Sequence, residues 1–299
     1  MNEMIIIEVG STNTKSYFYD GVVNEIGLTT IEFKNNYKAN GKLLESDIDS
    51  LTDYVNELKS YNADIHVYGT SIFRDLSDEE FLSFVKLFNS KTNVNFNVVT
   101  ADMENEFTVY GVIGDNDYEG RLAVMIGGGG STELSIVENK RIIEKHNLPF
   151  GAMDIMDRFP DINNDIASTI FPAMVNDTVN RCAKPENKAA TLVLAGGDYL
   201  RFYLTLDYPL EKNQLYEDSN QPYMMDVKTM EENDIDFFYN RSLTEIQNKD
   251  PDYKAWWSGG TRGMRICVHA VANILEAEYI IPSKISMVYG IIEKLKSKY

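Results

Sequence analysis

The sequence predicts an α/β protein that is built from two related halves. With 299 residues the chain is long for a single hydrophobic core, so two domains are expected. Apolar strand patterns alternate with helical patterns, which is typical of α/β layers with mixed sheets. Two strand–turn–strand units carry small, hydroxyl-bearing residues at their tips, at residues 10–15 and 127–133. We interpret this pair as a structural duplication.

The first half, residues 1–120, is predicted to begin with a meander of strands that continues to residues 29–33. The dipeptide Asp20-Gly21 is a strong hairpin signal within it. A capping box at Ser77 and Glu80 opens one of the helices that follow. Strands are predicted at residues 5–9, 16–19, 22–26, 65–68 and 94–99, and helices at residues 48–58, 77–88 and 104–112.

The second half, residues 121–299, is predicted to contain three strands and then a largely helical region. The polar stretch at residues 116–120 places the domain boundary just before it. Strands are predicted at residues 122–126, 132–137, 141–148, 191–195 and 279–281, and helices at residues 165–182, after 198, and at 229–239, 262–276 and 284–297. Residues 207–226 are the most loop-like. For the closing helix, residues 284–297, packing against the first domain is one of the expected arrangements.

The composition indicates an acidic globular protein and argues against several classes of partner. The formal net charge is −18, which disfavours non-specific binding to DNA and to anionic membranes. Cys182 and Cys267 supply neither a disulfide framework nor a metal-binding spacing. The N-terminus lacks the pattern of a signal peptide, and no apolar run is long enough for a membrane span. We therefore expect a cytoplasmic protein with no DNA or membrane partner.

The stretch around four consecutive glycines, residues 127–130, is the strongest candidate for a binding site. Glycine lets another group approach the main chain closely, and successive N–H groups at such a tip can bind an anion. Ser131 and Thr132 add hydroxyl groups, and Glu133 adds a carboxylate that can hold a metal or a water. The alternative is a flexible hairpin that binds no ligand.

Seven segments, taken in order along nearly the whole chain, form a more specific pattern. They are Ile7 to Lys15 (IEVGSTNTK), Tyr68 to Asp75 (YGTSIFRD), Val98 to Glu104 (VVTADME), Gly128 to Leu134 (GGGSTEL), Leu148 to Ala152 (LPFGA), Ala195 to Asp198 (AGGD), and residues 282–295. Together they resemble the exopolyphosphatase / guanosine pentaphosphate phosphohydrolase family (Ppx/GppA), in its short two-domain form.

This resemblance implies a fold and an activity. It implies two actin-like (ribonuclease H-like) domains with an interdomain cleft, each domain carrying one phosphate-binding hairpin. The expected reaction removes a terminal phosphate from polyphosphate or guanosine pentaphosphate, with Mg²⁺ or another divalent cation as cofactor. The resemblance also makes a homodimer plausible.

The resemblance further assigns roles to individual residues. Glu104 aligns with the family's catalytic glutamate and is expected to activate the water, with Glu106 as its rival. Glu8 and Glu133 are expected to hold the metal. The residues expected to bind substrate phosphate are Ser11, Asn13, Arg74, Gly129, Gly130, Ser131 and Thr132. The alternatives are a surface ion pair for Arg74 and a solvated helix face for Glu104.

Four positions depart from the family pattern. Glu8 replaces an aspartate, and Ile126, or Met125, stands where the second hairpin has an aspartate that binds metal. Glu106 replaces an arginine and Asp198 a threonine. Two other functions therefore remain open: a catalytically impaired relative that binds polyphosphate or a guanosine alarmone, and another actin-like phosphotransferase such as a sugar or acetate kinase.

Overall fold

Two mixed β-sheets carry the fold in the computed structural model, which describes residues 3–114, 117–164, 171–249 and 260–296. The chain divides into two compact units, residues 1–107 with 291–299, and residues 108–290. The polar stretch at residues 116–120 predicts this division at residue 120. The structure places it inside a continuous helix, α4 (Ala101–Ile113), where no loop or change of composition marks it. Residues 291–296, the later part of the closing helix, belong to the first unit.

The first unit contains a five-stranded sheet in the order β3-β2-β1-β4-β5. β1, β2 and β3 form an antiparallel meander, and β4 and β5 continue the sheet in parallel with β1. The strands are β1 (Met4–Val9), β2 (Asn13–Tyr19), β3 (Val23–Thr30), β4 (Asp64–Gly69) and β5 (Phe96–Val98). The helices are α1 (Phe33–Asn40), α2 (Glu45–Leu58), α3 (Asp78–Thr92) and the first part of α4.

The two faces of this sheet have different characters. Ile5, Ile7 and Val9 are fully buried in a core that includes residues of α2 and α3. Side chains alternate between faces along a strand, so Ile6 and Glu8 lie on the opposite face.

The predicted capping box at Ser77 and Glu80 opens α3. The predicted continuation of the meander at residues 29–33 is wrong beyond Thr30, because α1 begins at Phe33.

The second unit contains a seven-stranded sheet in the order β10-β11-β12-β9-β6-β7-β8. Its strands are β6 (Arg121–Gly127), β7 (Thr132–Glu138), β8 (Arg141–Leu148), β9 (Thr191–Ala195), β10 (Glu211–Lys212), β11 (Tyr223–Asp226) and β12 (Tyr279–Pro282). Its helices are the end of α4, then α5 (Ala152–Arg158), α6 (Phe171–Asn180), α7 (Tyr199–Thr205), α8 (Val227–Tyr239), α9 (Leu243–Lys249), α10 (Thr261–Leu275) and the start of α11 (Met287–Lys296).

Two short strands, β10 and β11, lie in the segment that the sequence analysis took to be the most loop-like. Of the predicted helix at residues 165–182, residues 165–170 lie outside the described residues, and the remainder forms α6 from Phe171. Residue 297 of the closing helix is likewise outside them. Among the helices of the described ranges, none is long and apolar enough to cross a membrane.

The predicted duplication is visible in the strand pairing. In the first unit, β1 pairs antiparallel with β2 and parallel with β4, so Glu8 lies beside Lys15 and Tyr68. In the second unit, β6 pairs antiparallel with β7 and parallel with β9, so Ile126 lies beside Glu133 and Ala195. Each unit therefore places one hairpin tip at the carboxyl end of a strand that also has a parallel neighbour.

Candidate active site

The tip of the first hairpin is a four-residue turn that its surroundings hold in place. Gly10 N donates to Asn13 O at 2.9 Å and closes the turn. Lys34 N donates to Ser11 O at 3.0 Å, and Ile31 N donates to the neighbouring carbonyl of Thr12 at 2.8 Å. The segment that enters α1 thus fixes this loop. Ser11 is half-buried and Asn13 is exposed, as a residue that meets a ligand must be.

The second hairpin repeats this arrangement, and its tip consists of glycines, which have no side chains. Gly128 N donates to Ser131 O at 2.9 Å, the same bond that closes the first turn. At the start of α5, Ala152 N donates to Gly128 O at 3.0 Å and Met153 N donates to Gly129 O at 2.7 Å. No hydrogen bond within the described ranges uses the N–H groups of Gly129 and Gly130, both of which are exposed. The tip is therefore anchored by its carbonyls and offers two adjacent donors.

Gly151 makes this anchoring possible because it has no side chain. A Cβ at Gly151 would lie 2.5 Å from Gly128 O and 2.6 Å from Gly129 O. We expect Gly151→Ala to destabilise the second unit by about 1–3 kcal/mol, the usual cost of forcing an extra carbon into a packed site. Urea unfolding measures this change. Gly130→Ala is the matched control: nothing lies within 4 Å of its added Cβ, so we expect a change within about 0.5 kcal/mol. Equal losses in the two variants would contradict the anchoring role.

The three residues that follow the glycines differ in how far they are exposed to solvent. Ser131 Oγ donates to Glu133 Oε1 at 2.8 Å, so the hydroxyl and the carboxylate lie together at the base of the turn. Both are half-buried. Thr132 has no exposed surface, although the sequence analysis expected it to bind phosphate. The structure therefore brings Gly129, Gly130 and Ser131 to the surface of the tip but directs the Thr132 hydroxyl inward.

Arg74 and Glu104, the predicted clamp and the predicted base, bind each other. Arg74 ends a short 3₁₀ helix (Ser71–Arg74) that follows β4, and Glu104 lies in the first turn of α4. Arg74 Nε donates to Val99 O at 2.7 Å, and its Nη2 donates to Glu104 Oε2. The two side chains are 25% and 35% exposed, so this pair can be reached by a ligand.

Glu8 is the second carboxylate of this group. It is half-buried on β1, and its pKa is raised from 4.5 to about 7. Burial is the largest cause, and the negative charges of Glu104 and Glu25 add to it, whereas Lys15 opposes it. Glu8 and Glu104 are thus close enough to repel each other. The first unit therefore contains a group of two carboxylates, Glu8 and Glu104, with Arg74 and Lys15.

The raised pKa of Glu8 predicts a pH-dependent cost to stability. The folded state holds this proton more tightly than the unfolded chain, so the free energy of unfolding falls as pH rises from about 4.5 to about 7. We expect Glu8→Gln to remove this slope and to stabilise the protein at pH 8 by about 1–3 kcal/mol, with little effect at pH 4. Urea unfolding across this pH range tests the expectation.

Glu57→Gln is the control for that series, because Glu57 is exposed on α2 in the same unit. We expect it to retain the pH slope of the parent protein. A Glu8→Gln variant that keeps the same slope would show that burial of Glu8 is not its source.

The position equivalent to Glu8 in the second hairpin carries no carboxylate. Strand register identifies that position as Ile126, and Met125 is fully buried in the core. The Ile126 side chain packs over Gly196, where an added Cβ would meet Ile126 Cγ2 at 2.8 Å. An apolar contact thus replaces the metal-binding aspartate that the resemblance implies.

A hard cation such as Mg²⁺ requires oxygen ligands, which carboxylates supply. No group of three or more His, Cys, Asp or Glu side chains suited to a metal occurs within the described residues. Mg²⁺ commonly uses only one or two protein carboxylates and takes further ligands from substrate phosphates. Glu8 can take that role, because a nearby cation would favour the charged form of this half-buried carboxylate and oppose the effect of burial.

Lys15 and Tyr68 flank Glu8 on either side in the sheet, and neither was among the predicted site residues. Both could have been found from strand alternation, because in-register neighbours on adjacent strands share one face. The closeness of Glu104 to Glu8 has no such local signal.

Comparison with known proteins connects this geometry to a family. The model of the Ppx/GppA phosphatase family matches residues 25–199, which is more than half of the chain. A bifunctional 3-dehydroquinate synthase/phosphatase of Fusobacterium nucleatum is 23% identical over 99% of this chain. The match covers 45% of that relative, so this chain spans less than half of its length.

Solved structures show the same fold over the full chain. The Ppx/GppA family member of Aquifex aeolicus superposes with a TM-score of 0.76 and 17% identity, covering 100% of this chain and 99% of that one. An exopolyphosphatase of Cytophaga hutchinsonii superposes with a TM-score of 0.68 and 14% identity, covering 99% and 98%. At these identities the likeness concerns the fold, and it confirms the predicted α/β architecture.

Proposed function

This chain belongs to the Ppx/GppA phosphatase family, and on that premise we propose that it hydrolyses phosphoanhydride bonds, releasing terminal phosphate from inorganic polyphosphate, guanosine pentaphosphate or both. The observation that carries the proposal is the grouping of Glu8, Arg74 and Glu104 in the first unit. Phosphoryl transfer needs neutralised phosphate oxygens, an oriented nucleophile and an acceptor for its proton. This group contains a candidate for each need.

In the proposed reaction, water attacks the terminal phosphorus and the bridging P–O bond breaks. Glu104 accepts the proton of the attacking water, and Arg74 donates hydrogen bonds to the phosphate oxygens. Substrate would compete with Glu104 for Arg74, and thus release the carboxylate to act as a base. The N–H groups of Gly129 and Gly130, with Ser11, Asn13 and Ser131, are the proposed donors to the other phosphate oxygens. Thr132 belongs to this turn but is not a proposed donor to phosphate, because its hydroxyl is buried.

A divalent cation, Mg²⁺ or a similar ion, is part of the proposal. Glu8 is its proposed ligand in the first unit, and Glu133 is the proposed ligand in the second unit. When bound, the cation would neutralise the charge that develops on the phosphate oxygens. We also propose that the protein forms a homodimer and is located in the cytoplasm.

Two observations favour a second function. Ile126 occupies the position of a metal-binding aspartate, and Arg74 is held by Glu104. Both features suit a relative that binds polyphosphate or a guanosine alarmone without hydrolysing it.

A substrate panel tests the proposal. Purified protein is incubated with polyphosphate, guanosine pentaphosphate or ATP, each with and without Mg²⁺, and released phosphate is measured. We expect Mg²⁺-dependent release from at least one of the first two substrates and little from ATP. Tight binding without release would support the binding protein instead, and phosphate transfer to an added sugar or acetate would support a kinase.

A further inference from the structure

A methionine is exposed to solvent beside the tip of the second hairpin. Met153 is the second residue of α5 and is 47% exposed. Its N–H donates to Gly129 O at 2.7 Å, and its Cγ lies 3.4 Å from the place that a Cβ on Gly129 would occupy. The side chain of Met153 therefore lies alongside Gly129, one of the two glycines whose N–H groups are the proposed phosphate donors.

Met153 is also more accessible than the other methionines of the described ranges, because none of those is exposed. They are the half-buried Met103, Met156 and Met264, and the buried Met4, Met125, Met174, Met224, Met225, Met230 and Met287. Oxidation of side chains in a folded protein follows the access of the oxidant to them. An oxidant in solution is therefore expected to react first with Met153.

Oxidation would change the chemistry of this side chain. In its reduced form Met153 competes little for the N–H groups of the tip, because a thioether sulfur is uncharged and is a weak hydrogen-bond acceptor. With hydrogen peroxide, a lone pair of Sδ forms a new S–O bond, the O–O bond breaks, and the products are methionine sulfoxide and water. The sulfur gives up two electrons, which the peroxide accepts.

The sulfoxide oxygen is a polar acceptor that forms next to the tip. Sδ is bonded to Cγ, the atom that lies alongside Gly129, so the new oxygen is close to the N–H groups of Gly129 and Gly130. Neither N–H has a hydrogen-bond partner elsewhere in the described residues, and both glycines are exposed. The oxygen belongs to the same chain as these donors, so it competes with a phosphate at a high effective concentration.

We propose that Met153 is a reversible oxidation site and that its sulfoxide weakens phosphate binding at the second hairpin. The inference rests on the proposed function for the identity of the ligand, but it does not require turnover. A methionine sulfoxide reductase reverses the change: two thiols are oxidised to a disulfide, and the sulfoxide oxygen leaves as water. Substrate binding would thereby respond to peroxide.

Limited oxidation followed by a binding measurement tests the proposal. The parent protein, Met153→Leu and Met156→Leu are treated with a low dose of hydrogen peroxide, and the oxidised residues are identified by peptide mass spectrometry. Affinity for polyphosphate is measured before and after treatment by isothermal titration, with and without Mg²⁺. Leucine keeps the approximate size of methionine and lacks the sulfur. Met156 is the matched control, because it is half-buried in the same helix and its Sδ lies 3.5 Å from the place of a Cβ on Gly260 rather than at the tip.

We expect oxygen to be added first at Met153. Peroxide is expected to weaken polyphosphate binding by the parent and by Met156→Leu about tenfold or more, the effect of losing one hydrogen bond to a charged group. It should leave the affinity of Met153→Leu as it was before treatment, and a methionine sulfoxide reductase should restore the parent protein.

Several outcomes would overturn the proposal: oxidation of other methionines before Met153, unchanged affinity of the oxidised parent, an equal loss in Met153→Leu, or no polyphosphate binding by any of the three proteins. Measurement of released phosphate separates this proposal from the proposed function. Peroxide-sensitive binding without any phosphate release would refute the hydrolase and leave the oxidation site standing. Phosphate release with binding that oxidation of Met153 does not alter would refute the oxidation site and leave the hydrolase standing.

Discussion

Replacing Glu104 by glutamine is expected to lower kcat for phosphate release by about 10²- to 10⁴-fold, the usual contribution of a general base. The amide keeps the size of the side chain but cannot accept the proton of the attacking water. It can still accept a hydrogen bond from Arg74, which binds Glu104 in this structure. The fold of the first unit should therefore survive, and KM should not rise, because a neutral amide competes less strongly with substrate for Arg74. Steady-state kinetics on polyphosphate and guanosine pentaphosphate measure the effect.

Glu106→Gln provides the control for this variant. Glu106 is also half-buried in α4, two residues further along the same helix. Residues two apart on a helix do not face the same side, so Glu106 cannot take the place of Glu104 beside Arg74. We expect Glu106→Gln to retain most of the activity. A large loss for Glu106→Gln with normal turnover by Glu104→Gln would reverse the assignment of the base.

The largest effect on stability is expected at Asp234, which lies on α8 in the core of the second unit and has no exposed surface. Arg265 donates to its carboxylate through Nε at 3.0 Å and through Nη2 at 2.6 Å. His269 Nε2 lies 2.5 Å from Oδ2, and Tyr208 OH donates to Oδ1. Although burial would raise the pKa of Asp234, the positive charge of Arg265 and the hydrogen bonds lower it.

Asp234→Ala is expected to cost about 3–5 kcal/mol, because it leaves the guanidinium of Arg265 buried without its counter-charge. Arg265 Nη1 would still donate to Tyr203 OH, which lies 2.5 Å away and carries no charge. Urea unfolding measures the loss. Asp236→Ala on the same helix is the control: Asp236 is 44% exposed and pairs with Arg241 at 3.0 Å, so we expect a change within about 1 kcal/mol. Similar losses for the two variants would show that burial of the Asp234 charge is not decisive.

The parts of the fold that follow from local chemistry are predictable from the sequence. Both hairpins could be located because glycine and small polar residues specify their turns. Helix α1 could not, because only Phe33 among its residues is buried and the apolar repeat is absent. The unit boundary could not either, because α4 continues through it without a break.

The candidate site, like the fold, could be predicted from the sequence only where local motifs specify it. The glycine tips and the Glu104 segment can be recognised as motifs. The ion pair of Arg74 with Glu104, however, joins residues thirty positions apart in the sequence. Glu8 and Glu104, which repel each other, are still further apart in the sequence. These contacts depend on how β1, β4 and α4 pack, which no spacing in the sequence encodes. The inward direction of the Thr132 hydroxyl likewise follows from the pairing of β7 with its two neighbours.

The claim that this protein is a phosphoanhydride hydrolase is tested most directly by turnover in water enriched in ¹⁸O. The protein is incubated with guanosine pentaphosphate and, separately, with polyphosphate in the presence of Mg²⁺, and the released phosphate is examined by mass spectrometry. Attack by water on the terminal phosphorus predicts one ¹⁸O atom in each phosphate released by a single cleavage. No release above a protein-free control, or transfer of phosphate to an acceptor without ¹⁸O, would contradict it.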